Sequence, residues 1–124
     1  MIPLKKIVER LNLEVVSSNQ SLERPVAGGY ASDLLSCAMK GAQKDFVWVT
    51  LQSHLNVVAV ASLLGLTGVI MTEGNRPDHE TLARAESEGV VLMVTPRTTF
   101  TIVGGLTSLG VRGEQDERGV ALDP

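Results

Sequence analysis

The chain has 124 residues, 44% of them hydrophobic and 20% charged, with a formal net charge of −3, an ordinary balance for one globular domain. No apolar run approaches the roughly 18 residues that a membrane span requires. The N-terminal residues also lack the apolar stretch of a secretory signal, so we expect a cytoplasmic protein without membrane contact. The basic residues are scattered, and one Trp, one Tyr and two Phe supply few stacking surfaces. These features argue against nucleic-acid binding.

The first quarter of the chain alternates between helix and strand patterns. Apolar residues spaced as on one helix face predict a helix over 4–11, and residues 13–16 predict a short strand. A second strand is predicted over 26–30. Ser32 or Asp33 follows it as a candidate cap for the next helix, because their short polar side chains accept from free helix N–H groups.

The same alternation continues to residue 110. Strands are predicted where short apolar runs lack polar alternation, and helices where polar caps precede longer apolar or periodic segments. In chain order, these elements are strand 46–49, helix 55–64, strand 68–71, helix 77–89, strand 90–94 and helix 98–110.

The sequence therefore predicts an α/β fold, a mostly parallel sheet with helices on both faces in a three-layer sandwich. We expect one domain over residues 1–112. Residues 113–124 combine charge and glycine with few apolar anchors, and we expect a flexible C-terminal tail there.

Two helices carry unusual sequences. The segment 55–64 is apolar almost all round, so it must be covered by the core, by a partner chain, or by both. Gly104 and Gly105 lie inside the last helix, where each costs about 1 kcal/mol relative to alanine. They indicate either a crowded helix contact, within the subunit or across a dimer, or a break in the helix.

Polar residues follow four of the predicted strands. Carboxyl ends of parallel strands meet at one edge of a sheet, where α/β proteins bind ligands, and the free N–H groups of helix N-termini there favour anions. Capping alone also explains several of these residue types. The candidate ligand-binding residues are Tyr30, Ser32, Asp33, Gln52, Ser53, His54, Asn56, Thr72, Glu73, Gly74 and Arg97.

The sequence assigns no catalytic residue and no metal ligand. Histidine is a common general base, but no nucleophile-elbow pattern surrounds Ser53, the neighbour of His54. Neither histidine has a second ligand at zinc-site spacing, and neither nucleotide-binding glycine motif is present, so no cofactor is indicated.

Three blocks of sequence resemble a stand-alone DRTGG domain. They are Gly29-Tyr30-Ala31-Ser32-Asp33-Leu34-Leu35-Ser36, then the run from Trp48 to Ala61, and then the run from Gly68 to Gly74. Pro77 and Glu80 follow the third block, and the similarity spans most of residues 4–111. The Asp-Arg-Thr stretch of the family name, expected near Ser53–Leu55, is absent, and the Thr-Gly-Gly stretch reads Thr72-Glu73-Gly74.

This resemblance implies an α/β sandwich like the N-terminal domain of HPr kinase, homodimerisation, and no catalytic activity of the module itself. Family members also occur as regulatory inserts, between CBS domains of some pyrophosphatases and in some phosphotransacetylases. We therefore favour a non-catalytic regulatory or ligand-sensing domain, working as a homodimer, with a small anionic or nucleotide-like ligand. The alternatives are a small enzyme acting on a phosphorylated or acyl substrate with His54 as base, and a ligand-free protein scaffold.

Overall fold

Strands and helices alternate through residues 1–17 and 22–114, the parts of the chain that the computed structural model describes. The strands are β1 Ile2–Pro3, β2 Glu14–Val15, β3 Pro25–Val26, β4 Gly28–Ala31, β5 Phe46–Thr50, β6 Gly68–Met71 and β7 Leu92–Val94. The helices are α1 Leu4–Leu11, α2 Leu35–Gly41, α3 Leu55–Leu64, α4 His79–Glu88 and α5 Thr99–Ser108. The predicted tail lies outside the described residues from 115 onward.

The main sheet has five strands in the order β2-β7-β6-β5-β4. β4 to β7 are mutually parallel, and β2 joins the β7 edge in the antiparallel direction. The predicted mostly parallel sheet is therefore confirmed. A second sheet, which the sequence did not predict, pairs β1 with β3 over only two residues each.

Helices cover both faces of the sheet, as predicted, in two unequal layers. Helices α2, α3 and α4 share one apolar core with Trp48 and Met71, whose side chains are fully buried. Helices α1 and α5 share the other core with Val47, Val49 and Ile70. Side chains alternate between the faces of a strand, so β5 supplies both cores and is buried at every residue.

The expected cap of α2 is wrong. The helix begins at Leu35 behind Leu34, and no side chain caps its N-terminus. Ser32 Oγ instead accepts from the Leu34 amide within the preceding turn, at 3.2 Å. The Asp33 carboxylate instead accepts hydrogen bonds at the end of β5, from the Thr50 hydroxyl and the Leu51 amide.

The apolar helix α3 is covered largely inside the chain. It lies between α2 and α4 and buries Val57, Val58, Val60 and Ala61. Leu63 is the exception, with 72% of its surface exposed. Among the described residues, no helix is both long and apolar enough to cross a membrane.

Candidate functional site

The four candidate loops meet at one edge of the main sheet. Direct hydrogen bonds join neighbours: Ser32 N donates to Val49 O at 3.2 Å, Thr72 N to Thr50 O at 3.0 Å, and Glu73 N to Arg97 O at 2.8 Å. This convergence follows from the parallel order of β4 to β7, because parallel strands all end at the same side. We call this edge, formed by residues 32–34, 51–54, 72–78 and 95–98, the carboxyl rim.

Asp33 ties the first loop of the rim to the second. Its Oδ1 accepts from the Leu51 amide at 2.7 Å and from the Thr50 hydroxyl at 3.2 Å. Gln52 Nε2 returns a hydrogen bond to the Asp33 carbonyl at 3.1 Å. These bonds engage Oδ1 and the backbone carbonyl of Asp33, so this residue holds the two loops together.

Thr72 is also occupied within the protein. Its hydroxyl is buried, shares a 2.6 Å hydrogen bond with the Thr99 hydroxyl, and donates to Thr50 O at 3.4 Å. The sequence offers no sign of the contact with Thr99, which lies 27 residues further along the chain. Thr72 therefore joins α5 to the rim and leaves no free polar atom for a ligand.

Glu73 occupies the N-terminus of α5. Its Oε2 accepts from the Thr99 amide at 3.3 Å, so a carboxylate of the chain itself lies where a bound anion would be favoured. Its backbone has φ 60°, in the left-handed region that favours glycine. The middle glycine of the Thr-Gly-Gly stretch is thus replaced by Glu73 at a position where the backbone adopts the left-handed conformation, and the replacement brings a negative charge.

His54 caps α3. Its Nδ1 accepts from the Asn56 amide at 3.1 Å, and since Nδ1 accepts, the neutral ring carries its proton on Nε2 and presents a donor to solvent. This arrangement favours hydrogen bonding to a ligand over proton abstraction. The side chains of Ser53 and Asn56 lie beside it and make no hydrogen bond to another described residue.

Tyr30 does not join the other candidates. Its ring packs against the backbone of Gly41, where any larger residue would collide with it. Gly41 is the last residue of α2, whereas a glycine that ends a helix usually follows the last helical residue. Tyr30 therefore belongs to the packing between β4 and α2.

Arg97 and Gly74 lie at the β7 end of the rim. The Arg97 guanidinium is exposed and makes no hydrogen bond or ion pair to another described residue. Gly74, with φ 81°, exposes its backbone beside an open groove of about 480 Å³. That volume is in the range of small-molecule sites. The groove is lined by Asn12, Leu13, Glu14, Gly74, Arg76, Val94, Thr95 and Pro96.

The sequence did not single out Asn12, Glu14 or Arg76 as candidates. Arg76 donates to both Glu14 carboxylate oxygens at 3.0 Å. The hydrogen bond from Arg76, and then its positive charge, lower the pKa of Glu14. These residues lie 62 positions apart, and antiparallel pairing of β2 with β7 brings them together, a pairing that local patterns do not reveal.

The rim also contains Asp78, the cap of α4. Its Oδ1 accepts from the Thr81 amide at 2.9 Å, and this bond is the main cause that lowers the pKa of Asp78. When His54 and His79 are protonated, their positive charges also lower that pKa, by less than the Thr81 hydrogen bond does. In the described part of the chain, no group of three or more His, Cys, Asp or Glu side chains is arranged to hold a metal ion.

No protein-family model matches the sequence, and no curated protein matches it significantly. A solved structure does share the fold: the CBS and DRTGG domains of the regulatory region of Clostridium perfringens pyrophosphatase, complexed with its activator, diadenosine tetraphosphate. The match has a TM-score of 0.68 and 18% identity, and covers 82% of this chain. In its fold, the present chain is therefore a DRTGG-like domain. It spans only 44% of the length of that chain.

Proposed function

We propose that this chain is a non-catalytic regulatory domain of the cytoplasm that senses a small anionic or nucleotide-like ligand and works as a homodimer. The observation that supports ligand sensing best is the β7 end of the carboxyl rim. There, the guanidinium of Arg97 has no partner among the described residues. Arg97 comes directly after Pro96, one of the residues that line the 480 Å³ groove. The regulatory region with the same fold binds a nucleotide activator, which supports the same class of ligand.

The proposed site divides the rim by charge. At the N-terminus of α5, the Glu73 carboxylate repels anions. At the two sides, Arg97 and the Nε2 donor of His54 attract them. We therefore place a phosphate group of the ligand against Arg97, whose planar guanidinium can form two parallel hydrogen bonds. Arg76 lines the adjoining groove, but its guanidinium is paired with Glu14.

A binding screen tests the proposal, with diadenosine tetraphosphate, ATP and inorganic phosphate as probes. A probe that binds only the folded chain stabilises it by about 2.7 kcal/mol at 100 times its Kd, so thermal shift followed by calorimetric titration will detect it. We expect Arg97→Ala to weaken binding by roughly tenfold or more, the cost of a charged hydrogen bond.

The matched control is Lys44→Ala. This substitution also removes one positive charge, but at the opposite edge of the sheet, where Lys44 lines another groove of about 470 Å³. Binding that resists Arg97→Ala and fails in Lys44→Ala would move the site to that edge and reject the rim. No shift with any probe would reject anion sensing and favour the ligand-free scaffold.

The enzymatic alternative is tested by assaying turnover of a phosphorylated or acyl probe by the parent chain and by a His54 variant. His54→Ala would abolish turnover of a phosphorylated or acyl probe if His54 were a base. We expect no turnover in either the parent chain or the variant, because the accepting nitrogen of His54 is already engaged by Asn56. Hydrolysis by the parent chain that disappears in the variant would contradict the proposal.

A further inference from the structure

Among residues 1–17 and 22–114, none covers the outer face of α5. This face is formed by Phe100, Val103, Gly104 and Thr107, which recur at helical spacing. Phe100 has 90% of its surface exposed, and Val103 has 36%. Residues 98–110 contain no charged side chain, whereas the outward positions of α1 and α4 carry several.

The two glycines of α5 have different surroundings. An added Cβ at Gly105 would lie 2.6 Å from Leu11 Cδ2, so Gly105 permits close packing of α5 on α1 within the subunit. An added Cβ at Gly104 would meet nothing within 4 Å. The crowded contact expected from the double glycine is therefore made by Gly105 alone, and Gly104 leaves a shallow depression on the outer face of the helix.

We infer that the outer face of α5 is the contact between two copies of this chain, a deepening of the proposed homodimer. Phe100 and Gly104 lie one helical turn apart, about 6 Å along the axis. In a two-fold dimer, a contact between one residue of the first copy and another residue of the second copy occurs twice, once in each direction. Two antiparallel α5 helices can therefore seat the Phe100 ring of each copy in the Gly104 depression of its partner.

The fit of Phe100 to the Gly104 depression and the absence of charge favour a second copy as the occupant. A face without charges meets no like-charge repulsion when it packs on itself. A narrow apolar groove of about 100 Å³, lined among others by Ala31, Val103, Leu106 and Val111, continues the face towards β4. A helix of this length is about 15 Å long, which limits the contact to the low end of interface sizes, below about 1,200 Å² in total. The dimer is therefore weak and concentration-dependent.

Sedimentation velocity over a series from low micromolar to submillimolar protein tests this inference. The parent chain should shift from monomer to dimer. Phe100→Ala and Gly104→Leu should each raise the dissociation constant by about tenfold or more, one by removing the ring and the other by filling the depression. Gly104→Leu also improves helix propensity, so its monomer should remain folded by circular dichroism, and loss of the dimer cannot be attributed to unfolding.

The control is Leu63→Ala, which truncates another largely exposed apolar side chain in the opposite helix layer and should leave the dimer intact. A parent chain that stays monomeric throughout the series overturns both the contact and the proposed homodimer, and leaves the face to a different protein. A dimer that survives both α5 variants overturns the contact only. Neither result affects the ligand test at Arg97.

Discussion

Helices α3 and α5 have the same length and both lack charge, but their surroundings differ. Each has ten residues and neither contains a charged side chain. The three-helix layer covers α3 from both sides, by α2 and α4, whereas the two-helix layer covers α5 from one side only, by α1. An apolar helix therefore need not mark an interface. Whether such a helix is exposed depends on the number of neighbouring helices that the topology provides.

The strongest test of this difference is a charge placed inside α3. Val57 is completely buried, so Val57→Asp should cost about 3–5 kcal/mol, because an unpaired carboxylate must be buried or the core must open. Leu63→Asp, in the same helix, should stay within about 0.5 kcal/mol of the parent chain. Urea unfolding measures both. Equal losses would mean that α3 is covered on its outer side as well.

The glycine pair of α5 gives a finer test. Gly104→Ala should stabilise the monomer by up to about 1 kcal/mol, since alanine favours the helix and its methyl group meets open space. Gly105→Ala gains the same propensity but forces Leu11 to move, and crowding a packed core costs about 1–3 kcal/mol.

Chemical denaturation at a protein concentration below dimer formation should therefore rank Gly104→Ala above the parent chain and Gly105→Ala at or below it. The reverse order would mean that the depression at Gly104 is filled in the monomer. It would also remove the main geometric support for the α5 contact.

The N-termini of α3 and α5 differ in charge, and Glu73 supplies the difference. Glu73→Ala removes the carboxylate and keeps a side chain at φ 60°, whereas Glu73→Gly also relieves the left-handed strain. The glycine variant should be more stable than the alanine variant by about 1 kcal/mol. If α5 then accepts anions, titration with inorganic phosphate should detect binding in Glu73→Gly that is weaker or missing in the parent chain. An unchanged affinity would show that Glu73 does not select against anions.

The smallest effect concerns α4, the charged neighbour of α3. Because the Thr81 amide lowers the folded-state pKa of Asp78, the ionised form contributes stability at neutral pH. This contribution is complete above the ordinary value of 3.8 and is lost as the pH falls through and below it.

Asn also caps helices, so Asp78→Asn isolates the charge. The parent chain should have the higher Tm at about pH 6, and the difference should shrink towards about pH 3. A constant difference across that range would assign the effect to shape and not to ionisation.

Local patterns predicted most of the fold. The predicted helices 77–89 and 98–110 correspond to α4 and α5, and the structure places the caps Asp78, Gly89 and Thr98 at or next to the predicted ends, because capping depends on residues a few positions apart. The small β1–β3 sheet was missed, since two-residue strands have no periodicity. The cap of α2 was wrong because Asp33 finds a buried-strand hydroxyl and an amide across the rim, which compete with the local helix N–H groups.

The sequence by itself determined the alternation of elements, the parallel order and the shared edge on which the candidate loops meet. These follow from side-chain periodicity and from the short range of turn and cap interactions. Only the tertiary structure decided how the candidates divide, with Tyr30 in the packing, Thr72 and Glu73 tied to α5, and Arg97 unpaired. It also added Arg76 and Glu14, and it separated the role of Gly104 from that of Gly105. The reason is physical: hydrogen bonding and steric contact between distant segments depend on distances that no local pattern contains.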